Sequence, residues 1–287
     1  MKEVLITGAN GQLGSSLRKV SGLYADLSCH FIDVKDLDLT DNEKVHHYFQ
    51  SQKYDYIINC AAYTAVDLAE TNSVSAFLVN QKIPEILSGE CQKGTRLIHI
   101  STDYVYDGSK NVPHLEEELP NPASVYAKSK LAGEETLRDN PNALVIRTSW
   151  LYSEYGHNFL KTMLRLAGER DEIGVVYDQT GSPTYAGDLA SAIFNIIIYA
   201  ENNRFKAGTY NYSNEGVCSW YDFAYEIMRA KNSRCRINPV RSDEYKLPAY
   251  RPAYSVMDKS KIKRNFDIRI PHWRESLPVA IKNMESK

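Results

Sequence analysis

The chain is poor in cysteine and has no useful arrangement of it. Cys29, Cys60, Cys91, Cys218 and Cys235 are odd in number, scattered and never in a CxxC pair, which argues against a disulfide framework and against a thiolate zinc site. Net charge is scarce as well. The 34 Lys and Arg against 36 Asp and Glu leave a formal −2, and neither a basic stripe nor a recognition motif is present to hold a nucleic acid. Long apolar runs are missing: the most apolar stretch, 189–200, is too short and too interrupted to span a bilayer. The N-terminal residues run straight into a strand-like stretch without the charged, apolar and small-residue order of a signal peptide. A cytoplasmic, reducing setting with no membrane partner is therefore expected. What the sequence has in surplus is tyrosine, 20 against 8 Phe and 3 Trp. Rings carrying hydroxyls suit wet clefts and half-buried positions alike, so the surplus alone decides nothing.

Apolar runs alternate with helical segments through the first half. Val4–Thr7 leads into a glycine turn and a helix-like stretch over 15–20, and a second run, 29–34, contains Asp33 near its end. A loop over 36–41 leads to another helical region, and further runs follow at 56–60, 96–101 and 143–149, the last preceded by a helix over 125–138. Strands joined by helical crossovers predict an α/β fold, a Rossmann-like parallel sheet flanked by helices, with its crevice at the carboxyl ends of the strands. Residues 1–150 are read as the NAD(P)-binding core. Beyond Trp150 the alternation loosens into helices over 158–169, 187–199 and 220–230, a polar turn at 178–184, a proline-marked stretch at 239–252 and a closing helix after Pro271. Residues 151–287 are read mainly as a smaller C-terminal substrate-binding lobe, with segments near 160–205 returning to the sheet domain.

Gly8, Gly11 and Gly14, together with Asn10, Gln12 and Leu13, form the turn that opens the first helix. Glycines there allow a tight turn, close approach of a pyrophosphate to backbone, and packing of helix on sheet, while the helix N-terminus offers amide donors. Asp33, at the end of the second strand, is placed to accept hydrogen bonds from an adenosine ribose. A carboxylate there disfavours a 2′-phosphate, yet Lys35 and Arg18 lie near enough to tolerate one. NADPH and NADH both remain open.

Reducing a ketone creates alkoxide charge, which needs a proton donor at the carbonyl oxygen. A tyrosine serves if a lysine one helical turn away favours its ionised form. Only Tyr106 and Tyr126 have lysine four residues on, and Tyr106 is separated from Lys110 by a turn-forming Asp-Gly. Tyr126 and Lys130 lie within one helix. Thr102 and Asp103 end the fourth strand, where a hydroxyl can reach the same carbonyl; a turn or helix cap is the competing reading of that pair.

With these residues in place the chain resembles the extended short-chain dehydrogenases/reductases, and within them the dTDP-4-dehydrorhamnose reductase family. The resemblance rests on GANGQLG at 8–14, CAAYTAVDLAE at 60–70, STDYVYDG at 101–108, YAKSKLAGE at 126–134, RTSWLY at 147–152, DQTGSPTYAGDLA at 178–190 and RPAYSVMDKSK at 251–261. It implies NAD(P)H-dependent reduction of the 4-keto group of dTDP-4-dehydro-β-L-rhamnose. It also implies Tyr126 as acid, Lys130 on the nicotinamide ribose and Thr102 at the oxygen. Asp38, Leu39, Ala61, Ala62 and Tyr63 would line the cofactor; Thr64, Asp67, Tyr104, Trp150, Asn158 and Arg251 would surround a dTDP-linked 4-keto-6-deoxy sugar. Some family members share magnesium between subunits through two glutamates, whose places here hold Ser16 and Gly187. Neither offers the oxygen ligand that magnesium prefers. Catalysis without a required metal is expected, in a monomer or weak homodimer. The same machinery is shared by reductases and epimerases of other nucleotide sugars, and relatives of the fold also act as a non-catalytic dinucleotide-binding subunit of methionine adenosyltransferase. The intact Thr102, Tyr126 and Lys130 speak against the latter.

Overall fold

The computed structural model describes residues 1–91 and 94–285. Six parallel strands form its main sheet: β1 (Lys2–Thr7), β2 (Leu27–Ile32), β3 (Tyr56–Asn59), β4 (Arg96–Thr102), β5 (Ala143–Thr148) and β6 (Gly208–Tyr212), in the order β6-β5-β4-β3-β1-β2. The first five are the strands the apolar runs predict. The sixth comes from a stretch too polar and too short to stand out in sequence; it pairs in parallel with β5, Gly208 opposite Leu144 through Tyr212 opposite Thr148.

Successive strand residues face opposite sides of a sheet, so two apolar layers can be read from one strand. Val4, Ile6, Ile58, Ile98, Leu144 and Ile146 point into one buried layer. It is roofed by α1 (Gln12–Ser21), by the long helix Ala186–Asn202 and by Ser260–Phe266. Leu5, Ile57, Leu97 and Val145 point into the other layer, against α2 (Asn42–Ser51) and α3 (Ile83–Glu90). On that side also lies α4 (Val125–Glu135), which meets a π turn at Leu78–Lys82. The contact is backbone-close: a Cβ on Gly133 would sit 2.1 Å from the Asn80 carbonyl oxygen.

A second apolar cluster lies C-terminal to the first five strands. It contains Tyr152, Leu160, Met163, Ile173, Val175, Phe223, Ile227, Trp273 and Leu277. Helices α5 (Phe159–Glu169), α6 (Trp220–Ala230) and α7 (Trp273–Glu285) enclose it with the parallel pair Glu172–Val176 and Arg236–Val240. The helix over 186–202 and strand β6 thus belong to the sheet, whereas α5 packs into the second cluster. No described helix is long and apolar enough to cross a membrane.

The chain leaves β1 toward β2 on one side and resumes at β3 on the other. This reversal opens a crevice at the carboxyl ends of β1 and β3, where α/β sheets bind ligands. Replacing Gly133 by Ala should force α4 off the π turn and cost about 1–3 kcal/mol. Urea unfolding is expected to show a lower midpoint with an unchanged slope, and an unaltered midpoint would refute the tight contact.

Candidate active site

The glycine turn is shaped by lack of room. Gly8 has φ +62°, and a Cβ on it would come within 2.7 Å of the Ala61 nitrogen. A Cβ on Gly14 would lie 2.3 Å from the Gly8 carbonyl oxygen. Gly11 occupies the N-cap of α1 without a side-chain cap, and Arg18 and Lys19 sit in the last turn. The arrangement leaves bare amides and a favourable dipole at the crevice, as a dinucleotide pyrophosphate requires. Gln12 fixes the turn to the second lobe: its Oε1 accepts from Ser153 Oγ and Asn158 Nδ2, both at 3.0 Å. Asn158 also caps α5 by accepting from the Lys161 amide.

Asp33 reaches back to the same turn, accepting from the Asn10 amide at 2.8 Å while its other oxygen accepts from Val34 N. Arg18 lies over the Phe31 ring, 4.2 Å from its centroid. The Asp38 carboxyl is held below the ordinary carboxylate range by Thr40, whose hydroxyl and amide both donate to it; Leu39 is buried beside it. After β3, Ala61 N donates to Asn59 Oδ1. The loop is clamped at Tyr63, whose amide and carbonyl both pair with Asn80, and Asn80 Nδ2 also donates to Ser129 Oγ on α4 at 2.9 Å.

A cavity of about 680 Å³ opens in front of this turn. Its walls bring together Gly8, Gly11, Gln12, Leu13, Ala62, Thr64, Thr102, Tyr104, Tyr126, Lys130 and Trp150. Asn10, Asp33, Asp38, Leu39, Ala61, Tyr63, Asp67, Asn158 and Arg251 lie outside it. Ser124 caps α4 by accepting from the Ala127 amide, which starts the helix one residue before Tyr126 and turns Tyr126 and Lys130 to the same wall. Burial pushes the Tyr126 phenol up to about 12, against the pull of the Thr102 hydroxyl. Lys130 is 2% exposed and donates to the Ile100 carbonyl at 2.6 Å. Burial draws its ammonium down to about 8, with Glu134 and Cys60 opposing. Thr102 donates to Asp103 Oδ1 at 3.1 Å, and Tyr104 meets Tyr126 edge-on with centroids 6.0 Å apart.

Among the cavity-wall residues that sequence did not single out as site residues, Asp103 and Trp220 bear most on its chemistry and shape. Asp103 Oδ2 is buried without a hydrogen-bond partner, and burial raises the carboxyl to about 7 against the pull of Ser255 and Thr102. Its position directly after Thr102 was the available signal. Trp220 stacks on Trp150 at 3.6 Å with planes 9° apart and touches Phe159. No local pattern links these distant indoles. Trp150 itself holds φ 48°, strained for a bulky residue, and a Cβ on Gly181 would come within 2.6 Å of its ring. Gly181 and Trp220 together hold it in place.

Asp67 and Arg251 meet one another. Nη2 lies 2.7 Å from Oδ2 and Nη1 3.1 Å from Oδ1, and Asp67 also accepts from the Ala249 amide. The guanidinium holds the Asp67 carboxyl below its usual range. Ser16 Oγ donates to the Gln12 carbonyl, and Gly187 faces the Tyr185 ring. Asp188 is occupied by Asn214 and Ser276. Among the described residues no three His, Cys, Asp or Glu side chains gather as metal ligands.

A parallel sheet with a bare glycine turn at its switch point is an NAD(P)-binding Rossmann fold, and the Tyr126–Lys130 pair beside it marks the chain as a short-chain dehydrogenase/reductase. A family model described as the RmlD substrate binding domain matches residues 1–286. The dTDP-4-dehydrorhamnose reductase of Aggregatibacter actinomycetemcomitans is 40% identical over 291 residues, covering 96% of this chain and 97% of that protein. A crystal structure of a dTDP-4-dehydrorhamnose reductase from Clostridium acetobutylicum superposes with a TM-score of 0.92 at 38% identity, covering 99% of both chains. One from Bacillus anthracis, in complex with NADP, gives 0.92 at 38% identity and covers 98% of this chain and 99% of that one. The chain belongs to the RmlD, or dTDP-4-dehydrorhamnose reductase, family.

The raised Asp103 carboxyl has a consequence for stability. Between the ordinary carboxylate value near 4 and about 7, the folded chain keeps a proton that the unfolded chain has lost, so this group lowers stability as pH rises. Asp103→Asn should therefore gain stability over the parent across that interval, by an amount on the order of a few kcal/mol, and level off above it. Urea unfolding of both proteins from acid to neutral pH measures the difference; a gap independent of pH would contradict it.

Proposed function

We propose that this chain is a dTDP-4-dehydrorhamnose reductase, converting dTDP-4-dehydro-β-L-rhamnose to dTDP-β-L-rhamnose with NADPH or NADH. The observation that carries this reading is the shared cavity wall of Thr102, Tyr126 and Lys130, opposite Trp150 and beside the bare glycine turn. NAD(P)H supplies the hydride when bound. Gly8, Gly11 and Gly14 admit its pyrophosphate, Asp33 and Asp38 border the adenosine side, and the clamped loop at 61–63 walls the nicotinamide side.

Tyr126 is the proton donor. Its high proton affinity keeps the phenol protonated until charge develops on the sugar oxygen. Lys130 then favours release of that proton by placing a cation behind the ring and binds the nicotinamide ribose. Thr102 donates to the same oxygen and aligns the carbonyl. Tyr104 and the Trp150 ring offer apolar surface to the deoxysugar methyl, Thr64 its polar side, and Asn158 holds the lobe that closes on it. Arg251 is the diphosphate ligand, its guanidinium oriented by a two-point ion pair with Asp67, which borders the same substrate region. Residues 1–150 with the helix over 186–202 and strand β6 serve the cofactor, and the second cluster serves the sugar. No divalent metal is required, since Ser16 and Gly187 supply no carboxylate, and the chain works as a monomer or weak homodimer.

Tyr126→Phe should lose about 10²–10⁴-fold in turnover while binding NADPH nearly as well as the parent. Oxidation of NADPH and NADH with the keto-sugar and fluorescence titration of the cofactor measure the two; unchanged turnover would remove Tyr126 from its role. Exhaustive chelation is expected to leave the rate intact, and a loss that added magnesium restores would overturn the metal-free reading.

A further inference from the structure

Outside the cavity lining, Lys130 is flanked by a buried histidine. His99 has no solvent exposure, and its Nε2 lies 3.5 Å from Lys130 Nζ. The other ring nitrogen, Nδ1, lies 3.1 Å from Asn59 Nδ2. Which way that amide faces is fixed, because Asn59 Oδ1 already accepts from Thr7 Oγ1 at 2.8 Å and from the Ala61 amide at 3.2 Å. The Asn59 NH₂ must then be the group facing His99, and an NH₂ only donates. His99 Nδ1 is consequently the acceptor, and a neutral ring must carry its proton on Nε2, aimed at Lys130.

The remaining surroundings of Lys130 are fully accounted for. Its Nζ donates to the Ile100 carbonyl. Glu134, one turn further along α4, is engaged by Arg147 in a paired contact and by the Ser101 hydroxyl. The Cys60 thiol is raised by burial to about 12 and stays neutral, and Tyr126 stays protonated. Burial and the neighbouring lysine hold His99 itself neutral, with its proton affinity well below that of an ordinary imidazole. A neutral ring with an N–H facing an ammonium disfavours the charged lysine, whereas the opposite tautomer would favour it.

We propose that His99 is a positioning residue of this site: locked by the Thr7–Asn59 chain as its Nε2–H tautomer, it sets the position and proton affinity of Lys130 from behind, without touching substrate or cofactor. The inference rests on Lys130 acting on Tyr126 as described above, but its test does not depend on turnover. In the parent chain labelled with ¹⁵N-histidine, His99 should show a protonated Nε2 and an unprotonated Nδ1, with no second protonation down to the acid limit of folding. A proton on Nδ1, or a doubly protonated ring at neutral pH, overturns the proposal. The Lys130 titration, followed by the ¹³Cε resonance of the same ligand-free protein, should move up by about half a unit in His99→Phe. In His99→Gln, whose amide N–H can face the same point, the midpoint should stay near that of the parent. A folded His99→Phe protein with an unmoved Lys130 midpoint overturns it as well. With the keto-sugar, the alkaline limb of the turnover profile should follow the Lys130 midpoint in each variant. A Lys130 shift without any movement of that limb would leave the His99 assignment standing and sink instead the role given to Lys130.

Discussion

Everything that faces the cavity depends on the β1–α1 turn being bare backbone. Gly8 has its carbonyl where a side chain on Gly14 would need to be, and its own missing side chain lets Ala61 pass. Only with both contacts met do β1 and β3 present their ends side by side, so that a helix N-terminus, the loop at 61–63 and the end of β4 converge. Gln12 then carries the constraint across to the second lobe through Ser153 and Asn158. A turn of bare backbone amides therefore also sets the distance between the two halves of the cleft.

The second requirement is dryness. Lys130, Asp103 and His99 are buried and Tyr126 is half-buried, and each is pushed by desolvation toward its neutral form. A charge in such a place acts on its neighbours more strongly than it would in water. The cost of holding these groups is met by hydrogen bonds to fixed backbone and amide groups, the Ile100 carbonyl for Lys130 and Asn59 for His99. One buried ion pair, Glu134 with Arg147, lies directly behind this cluster and also engages Tyr106. It anchors α4, the helix that carries Tyr126 and Lys130, to β5.

The cavity wall formed by Trp150 and Trp220 is built differently, from aromatic packing. Trp150 is held in a strained backbone conformation between Gly181 and the Trp220 ring, so the second lobe shapes this side of the cavity by stacking. Arg251 and Asp67 join the same lobe to the loop after β3 through a two-point ion pair. The aromatic wall is held by stacked indoles, and the polar latch by two charge-assisted hydrogen bonds.

The sequence alone determined whatever depends on short separations. Short apolar runs separated by helical segments specified five strands, the glycine spacing specified the turn, and a four-residue step specified the Tyr126–Lys130 pair, because helix and strand geometry repeat over a few residues. Family motifs extended this reading to the cleft residues. Tertiary structure decided what long separations hide. It made Gly-Thr-Tyr-Asn-Tyr at 208–212 the sixth strand, its buried Asn211 satisfied by Glu116 and His114. It set Asp67 against Arg251, stacked Trp220 on Trp150, and aimed the His99 ring at Lys130. Each of those choices is made by packing and by the need to satisfy buried polar groups, and neither leaves a period in the sequence.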